Sequence, residues 1–341
     1  MQPWKRIPAR YYLRLCEVMD RLGVDPATLL SRAGLRLSDV ARTGASLSAD
    51  QVEQVVEAAI QATGRTDLGL ETAKTLKLTS HSAVSYGILS SPTAGYALRL
   101  VARFFSLILP PFRLQYRLTG ERMELAINPA WAMSHHCLVF HLDLIVASVH
   151  WELREFLGGT IPPYRIEFAL SEPPHIDRYH QLQEAVVRFG WDAQLGVSMS
   201  WPAAVAEQAT DLADPQALKL AEQRCRELVH SARATGDVAA WVSMMLRESR
   251  GAPPSREELA DSLGLSARTL DRYLAREGAA FRQLSRQAMF EKAQALLRDS
   301  PMPVTRIALE LGYRDSANFT RAFRREAGCS PRAWRVRRTD R

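Results

Sequence analysis

Cysteine is scarce and scattered. Cys16, Cys137, Cys225 and Cys329 are the four in 341 residues, and no CxxC pair occurs. That spacing argues against a disulfide framework or a zinc knuckle and suits reduced thiols in the cytoplasm. Long hydrophobic runs are also missing. Phe104–Phe112 is broken by two prolines, and Leu138–Val149 carries His141 and Asp143. Neither approaches the roughly 18 uncharged residues of a membrane helix, so no membrane partner is expected. The opening MQPWKRIPARYYLRL has basic residues but no apolar core, and it does not read as a secretory signal. Catalytic signatures are absent as well: GxSxG, a P-loop, HExxH and GxGxxG do not occur. The reading is therefore of a non-enzyme with no cofactor.

What is present is an uneven distribution of charge. The formal net charge is +7. Residues 250–341 hold nineteen Arg/Lys against eleven Asp/Glu, and eighteen of those nineteen bases are arginine. The preceding 249 residues carry a net of −1. Arginine's planar fork suits phosphate and guanine edges better than lysine's point charge. A basic segment joined to a neutral body points to a polyanion partner.

The length suits two domains. At the front, Tyr12–Leu22 reads as an amphipathic helix stopped by Gly23, and Asp25-Pro26 starts a short one. Ser48 caps a helix over 49–63, and another follows Pro92 over 93–108. The segments 112–118 and 123–127 alternate around Thr119-Gly120-Glu121, a hairpin pattern. A long apolar helix is predicted over 137–157, strands over 164–170 and 196–200, and a helix over 215–232. Without regular βαβ alternation this is an α+β domain. A break at Thr235-Gly236-Asp237 places the boundary near residue 235, giving domains 1–235 and 236–341. Beyond it the pattern is wholly helical, interrupted by the loop Gly251-Ala252-Pro253-Pro254.

The C-terminal domain contains one motif twice. Leu259-Ala260-Asp261-Ser262-Leu263-Gly264-Leu265 returns 48 residues later as Ile307-Ala308-Leu309-Glu310-Leu311-Gly312-Tyr313. The helix after each copy repeats too: Leu270, Arg272, Leu274 and Arg276 match Phe319, Arg321, Phe323 and Arg325. Ser255 with Glu258 forms a capping box, Gly264 ends the helix, and Ser266 caps the next. In the second copy Gly312 is the stop, and Asp315 or Ser316 is the cap. A short helix, a glycine turn and a second helix with polar residues outward is a helix-turn-helix. The two fall at about 255–277 and 303–327, joined by a linker helix at about 281–299. Eighteen helical residues span about 27 Å, close to the roughly 34 Å between successive major grooves. The competing reading is an all-helical protein-docking module.

The stretch LGYRDSANFTRAFRREAGCSPRAWR (311–335), with the preceding repeat, resembles the DNA-binding domain of AraC/XylS-type transcription regulators. The front resembles, more loosely, the arabinose-binding-like effector domain of one branch, through YGILSSPTAGYALRLVARFF, VVRFGWDAQLGVSMS and the helix ending in Phe156-Leu157-Gly158-Gly159. The resemblance implies base or groove contacts from Arg268, Asp271 and Arg272 in the first recognition helix, and from Ser316, Ala317, Asn318 and Arg321 in the second. Phosphate contacts are expected from Arg276, Arg324, Arg325, Arg332 and the tail from Arg335 to Arg338. Asp271 repels phosphate; it would accept from a cytosine amino group or orient Arg272. The family also implies promoter or operator DNA, a small-molecule effector of unknown identity, RNA polymerase and a homodimer as partners, with activation the commoner output. No heptad seam marks a dimer.

His135, His136, Cys137 and His141 match no trusted zinc spacing and read better as helix-face or core residues. They, with Trp131 or Tyr86, are candidates for lining the effector pocket, which stays unassigned. Met244-Met245 and Trp131, Trp151, Trp191 and Trp201 read as core.

Overall fold

A computed structural model describes residues 6–191, 194–231, 238–248, 253–262 and 265–339. It divides into two compact units, residues 1–190 with 196–236, and 191–195 with 237–341. The predicted break at Thr235-Gly236-Asp237 lies outside the described residues.

The first unit is α+β. Its helices are α1 (Arg10–Arg21), α2 (Pro26–Ser31), α3 (Leu37–Ala41), α4 (Ala49–Thr63), α5 (Leu68–Ala73), α6 (Ala83–Leu89), α7 (Ala94–Phe104), α8 (His135–Phe156) and α9 (Pro215–Ser231). The chain chemistry explains their ends. Asp25 accepts from the Ala27 and Thr28 amides to start α2. Ser48 and Gln51 form the capping box of α4, which closes at Gly64 in the left-handed region. Strands β1 (Arg6–Pro8) and β2 (Ser46–Ser48) make a short antiparallel pair.

The main sheet contains β3 (Phe112–Leu118), β4 (Arg122–Pro129), β5 (Tyr164–Phe168), β6 (Ala185–Phe189) and β7 (Val197–Pro202), in the order β3-β4-β7-β5-β6. The hairpin β3–β4 turns where the sequence places it, with Thr119 and Arg122 exchanging backbone hydrogen bonds. Met123, Leu125 and Ile127 alternate into the core. Strand β6, which the residue pattern did not announce, pairs parallel to β5 at the edge.

Helix α8 is apolar all round and buried along most of its length, as expected of a central helix. Most of its buried polar groups have specific partners, although His150 Nε2 and Trp151 Nε1 have none among the described residues. His141 Nε2 meets the Tyr12 hydroxyl at 2.7 Å and its Nδ1 meets the Cys137 carbonyl at 2.6 Å. His150 Nδ1 meets the Tyr164 hydroxyl at 2.7 Å. Asp143 accepts from His175 Nε2 at 2.9 Å and from the Tyr179 hydroxyl, and His175 Nδ1 meets Thr66 Oγ1 at 2.8 Å. Desolvation lowers the His141 and His150 pKa values to about 4 and raises that of Asp143. His141 and Asp143, two residues apart, face opposite sides of the helix, so they serve different neighbours. Among the described residues, no three His, Cys, Asp or Glu side chains gather as a metal site. No described helix is long and apolar enough to cross a membrane.

The second unit is helical: α10 (Val238–Glu248), α11 (Arg256–Ser262), α12 (Ala267–Arg276), α13 (Phe281–Asp299), α14 (Val304–Glu310), α15 (Ser316–Ala327) and α16 (Pro331–Thr339). Helix α13 packs against α10 on one side of the repeat and against α14, α15 and α16 on the other. The second copy packs on α13 directly, and α10 packs on both α12 and α13.

Candidate nucleic-acid interface

Each helix-turn-helix is built from the same local device. In the second copy Tyr313 N–H donates to the Ala308 carbonyl at 2.9 Å and Gly312 N–H to that of Leu309 at 2.9 Å. This is a Schellman closure, and Gly312 at φ +77° supplies the left-handed residue it needs. In the first copy Leu265 N–H donates to Ala260 at 2.9 Å, the equivalent bond. Gly264 and Leu263 lie outside the described residues. The repeated alanine is the acceptor in both turns and is fully buried, which explains why a small residue recurs there. The capping box at the start of α11 forms as read. Ser255 N–H reaches Glu258 at 2.7 Å, and Glu258 N–H reaches Ser255 Oγ at 3.2 Å.

Helix α12 is capped by Ser266, which accepts from the Thr269 amide. Leu270 and Leu274 are buried. Arg268, Arg272 and Arg276, four apart, are exposed on the other side. Arg272 and Arg276 flank the Tyr273 ring at 5.7 and 5.9 Å. Asp271 is held by Arg256 of α11 at 2.9 Å, so the partner it orients is Arg256 and not Arg272. Glu277, just past α12, accepts from the Val238 and Ala239 amides at 3.1 and 2.7 Å and caps α10 from outside its own sequence neighbourhood.

Helix α15 resolves the cap left open between two residues: Asp315 accepts from the Asn318 amide at 2.7 Å, and Ser316 becomes the first helical residue. Phe319 and Phe323 pack into a core with Met289, Ala293 and Leu297 of α13 and Ile307, Ala308 and Leu311 from α14 and its cap. Of the residues the linker helix was expected to turn inward, Ala288 and Leu297 are buried, while Phe281, Leu284 and Leu296 are half-buried. The other side of α15 carries Ala317, Arg321, Arg324 and Arg325 exposed, with Ser316 and Asn318 half-buried. Asn318 Nδ2 donates to Asp315 at 2.8 Å, and Arg321 donates to Asn318 Oδ1 at 2.5 Å. The three form a line along the first turns.

Among the described residues, Arg268, Arg272, Arg276, Arg321, Arg324 and Arg332 make no ion pair. Arg332 is exposed near the start of α16, which Ser330 caps through the Ala333 amide. The Ser330-Pro331 pair was a legible start signal for this helix. Arg335 differs from the other arginines. It is half-buried, its Nε donates to the Leu297 carbonyl at 3.1 Å, and its Nη2 donates to Met302 at 2.7 Å. It ties α16 to the end of α13. The side chains of residues 336–338 lie outside the described residues.

Residues 23–204 match the model of the arabinose-binding domain of AraC transcription regulators, and residues 259–337 match a helix-turn-helix domain. The ornithine utilization regulator of Pseudomonas aeruginosa is 26% identical over 332 residues, covering 96% of each chain. The activator RhaS of Escherichia fergusonii is 43% identical over 79 residues, 23% of this chain and 28% of that one. The crystal structure of the regulator CdpR from Pseudomonas aeruginosa aligns over 96% of this chain and 98% of that chain, at 20% identity and a TM-score of 0.48. With more than half of its length inside the first family match and the repeat inside the second, the chain belongs to the AraC family of DNA-binding transcription regulators.

Proposed function

We propose that the protein is a cytoplasmic, sequence-specific activator whose promoter affinity is set by a small molecule bound in residues 1–235 and exerted through residues 236–341. The observation that carries this is the pair of capped recognition helices on which Arg268, Arg272, Arg276, Arg321 and Arg324 have no counter-ion among the described residues. Arg268 and Arg272 from α12, and Ser316, Ala317, Asn318 and Arg321 from α15, are assigned to groove and base edges. Asp271 enters the surface as the partner of Arg256. Arg276, Arg324, Arg325 and Arg332 are assigned to phosphates. Arg335, expected with them, is assigned to holding the fold. Arg321 lies one helical turn from Asn318, so Asn318 presets its fork before DNA arrives. RNA polymerase is the further partner of an activator, and a homodimer through the first unit would double the operator.

A competition binding assay tests the reading. Arg321→Ala is expected to weaken binding to a cognate promoter by about 1–3 kcal/mol with little loss on random duplex. Affinity should fall steeply with salt. Equal losses on cognate and random DNA identify an architectural binder instead. Affinity insensitive to salt identifies a protein-docking module.

A further inference from the structure

The first unit contains a cleft of about 760 Å³ lined by Arg6, Arg10 and Arg42 and the hydroxyl residues Thr43, Ser46, Ser82 and Ser106, with no Asp or Glu among the described lining residues. The three arginines make no ion pair among the described residues. Arg10 is the first residue of α1, a helix of 12 residues whose N-cap, Ala9, offers no side-chain acceptor to the opening amides. The Arg10 Nε is buried with no hydrogen-bond partner, although another nitrogen of the same guanidinium reaches the Leu107 carbonyl at 3.3 Å. Arg10 lines the cleft with more guanidinium donors than its one carbonyl partner uses, and a bound anion can take up that capacity. Ser82, on the wall, sits at φ +56° without being glycine, a conformation that tends to collect at binding sites.

A second, smaller pocket of about 50 Å³ shares His81 with it and is apolar, lined chiefly by aliphatic and aromatic side chains such as Ile88, Val101, Phe105 and Ile145. His81 lines both spaces. Its Nδ1 meets the Tyr11 hydroxyl at 3.0 Å, and its Nε2 meets the Glu152 carboxylate at 2.8 Å. That bond keeps the nearby carboxylate on the side of the apolar pocket, engaged by the imidazole, and leaves the cleft cationic.

We propose that this cleft binds a small organic anion, with its carboxylate or phosphate head on Arg10 and Arg42 and a short apolar arm directed past His81 to the apolar pocket. This names the chemical class of the effector, and so rests on the regulatory reading above. Leu228 of α9, the last helix of the first unit, also lines the cleft, so an occupant touches the segment that precedes the DNA-binding unit in the chain.

The test uses the full chain in calorimetric titrations with hexanoate, hexyl phosphate, inorganic phosphate and hexylamine. Saturable binding of hexanoate or hexyl phosphate is expected, whichever is tighter identifying the head group, with hexylamine silent. Arg42→Gln and Arg10→Gln should each weaken binding about ten-fold, while Arg36→Gln, outside the cleft, should not. Arg42 is exposed, so its replacement leaves the fold intact should Arg10→Gln fail to fold. Absence of binding by both hexyl anions, equal binding of hexylamine, or undiminished binding by Arg42→Gln overturns the proposal. Inorganic phosphate binding as tightly as hexyl phosphate overturns the apolar arm. Anion binding lost in Arg42→Gln but without effect on promoter affinity upholds the site and removes its effector role. A promoter response to some other molecule, with no anion bound in the cleft, overturns the site and leaves the regulatory reading standing.

Discussion

Arg335→Ala separates an arginine that holds the fold from one that holds DNA. The guanidinium bridges two main-chain carbonyls, Leu297 at the end of α13 and Met302 in the loop before α14. Hydrogen bonds from a charged donor contribute about 1.5–3 kcal/mol each when buried. Arg335 is half-exposed, and water can reach the carbonyls once it is removed, so the pair is worth about 2 kcal/mol. A loss of that size multiplies local opening about thirty-fold. Hydrogen exchange on the full chain reads it directly: amides of α14 and α15 should exchange about thirty-fold faster, while those of α8 should not change. The slope of log affinity against log salt should stay at the parent value. Arg332→Ala should do the reverse, lowering the slope by about 0.9 with exchange unaltered. If Arg335→Ala leaves exchange in α14 and α15 unchanged and lowers the salt slope by about one, the clamp assignment is wrong and Arg335 is a phosphate contact.

Three further outcomes follow from the packing. Phe323 is 2% exposed and touches the rings of Phe290, Phe319 and Trp334; Phe323→Ala should cost about 3–5 kcal/mol, abolish promoter binding and leave the melting of the first unit unchanged by calorimetry. At Gly69 an added Cβ would stand 2.2 Å from the Phe140 carbonyl and 2.8 Å from Asp143 Cβ, so Gly69→Ala should lower the melting temperature of the first unit with a loss of about 2 kcal/mol or more; an unchanged melt contradicts the close approach of α5 to α8. His141 and His150 have folded pKa values near 4, depressed by desolvation, with Arg154 adding to the effect at His150. The unfolded chain therefore binds protons first, near pH 6.5. Stability is full above that value and declines as pH falls towards 4, by about 2 kcal/mol per histidine between pH 7 and pH 5. Thermal melts across that range should show the decline, and His150→Gln should reduce it by about half; a flat profile refutes the neutral buried imidazoles.

Where an element's ends depend on near neighbours, the sequence was legible. The capping boxes at Ser48 and Ser255, the hairpin at Thr119-Gly120-Glu121 and the glycine stop at Gly312 each involve groups within six residues of one another. The edge strand β6 was missed because it is half-exposed and defined by its parallel partner β5, across a connection of sixteen residues. The short helices α3 and α5 have too few turns to show a period. The His135–His141 cluster could be argued away from zinc, but nothing local pointed to Tyr12 as the partner of His141, 129 residues away. Tyr86, once a candidate for the effector pocket, is 70% exposed and lines neither the cleft nor the smaller apolar pocket, and neither does Trp131.

By itself the sequence determined the duplicated helix-turn-helix and the sign of the surface it presents, because a helix's faces follow from its 3.6-residue period and its arginines are charged in any fold. Only the tertiary structure decided which arginines remain free. Arg335 and Arg321 look alike in the chain, yet one meets two carbonyls some thirty residues upstream and the other faces outward beside Asn318. The same holds for Arg10 and Arg42, distant in sequence and gathered in one cleft with no carboxylate among its described lining residues. A side chain's role depends on what packs against it, and long-range packing is not encoded in spacing.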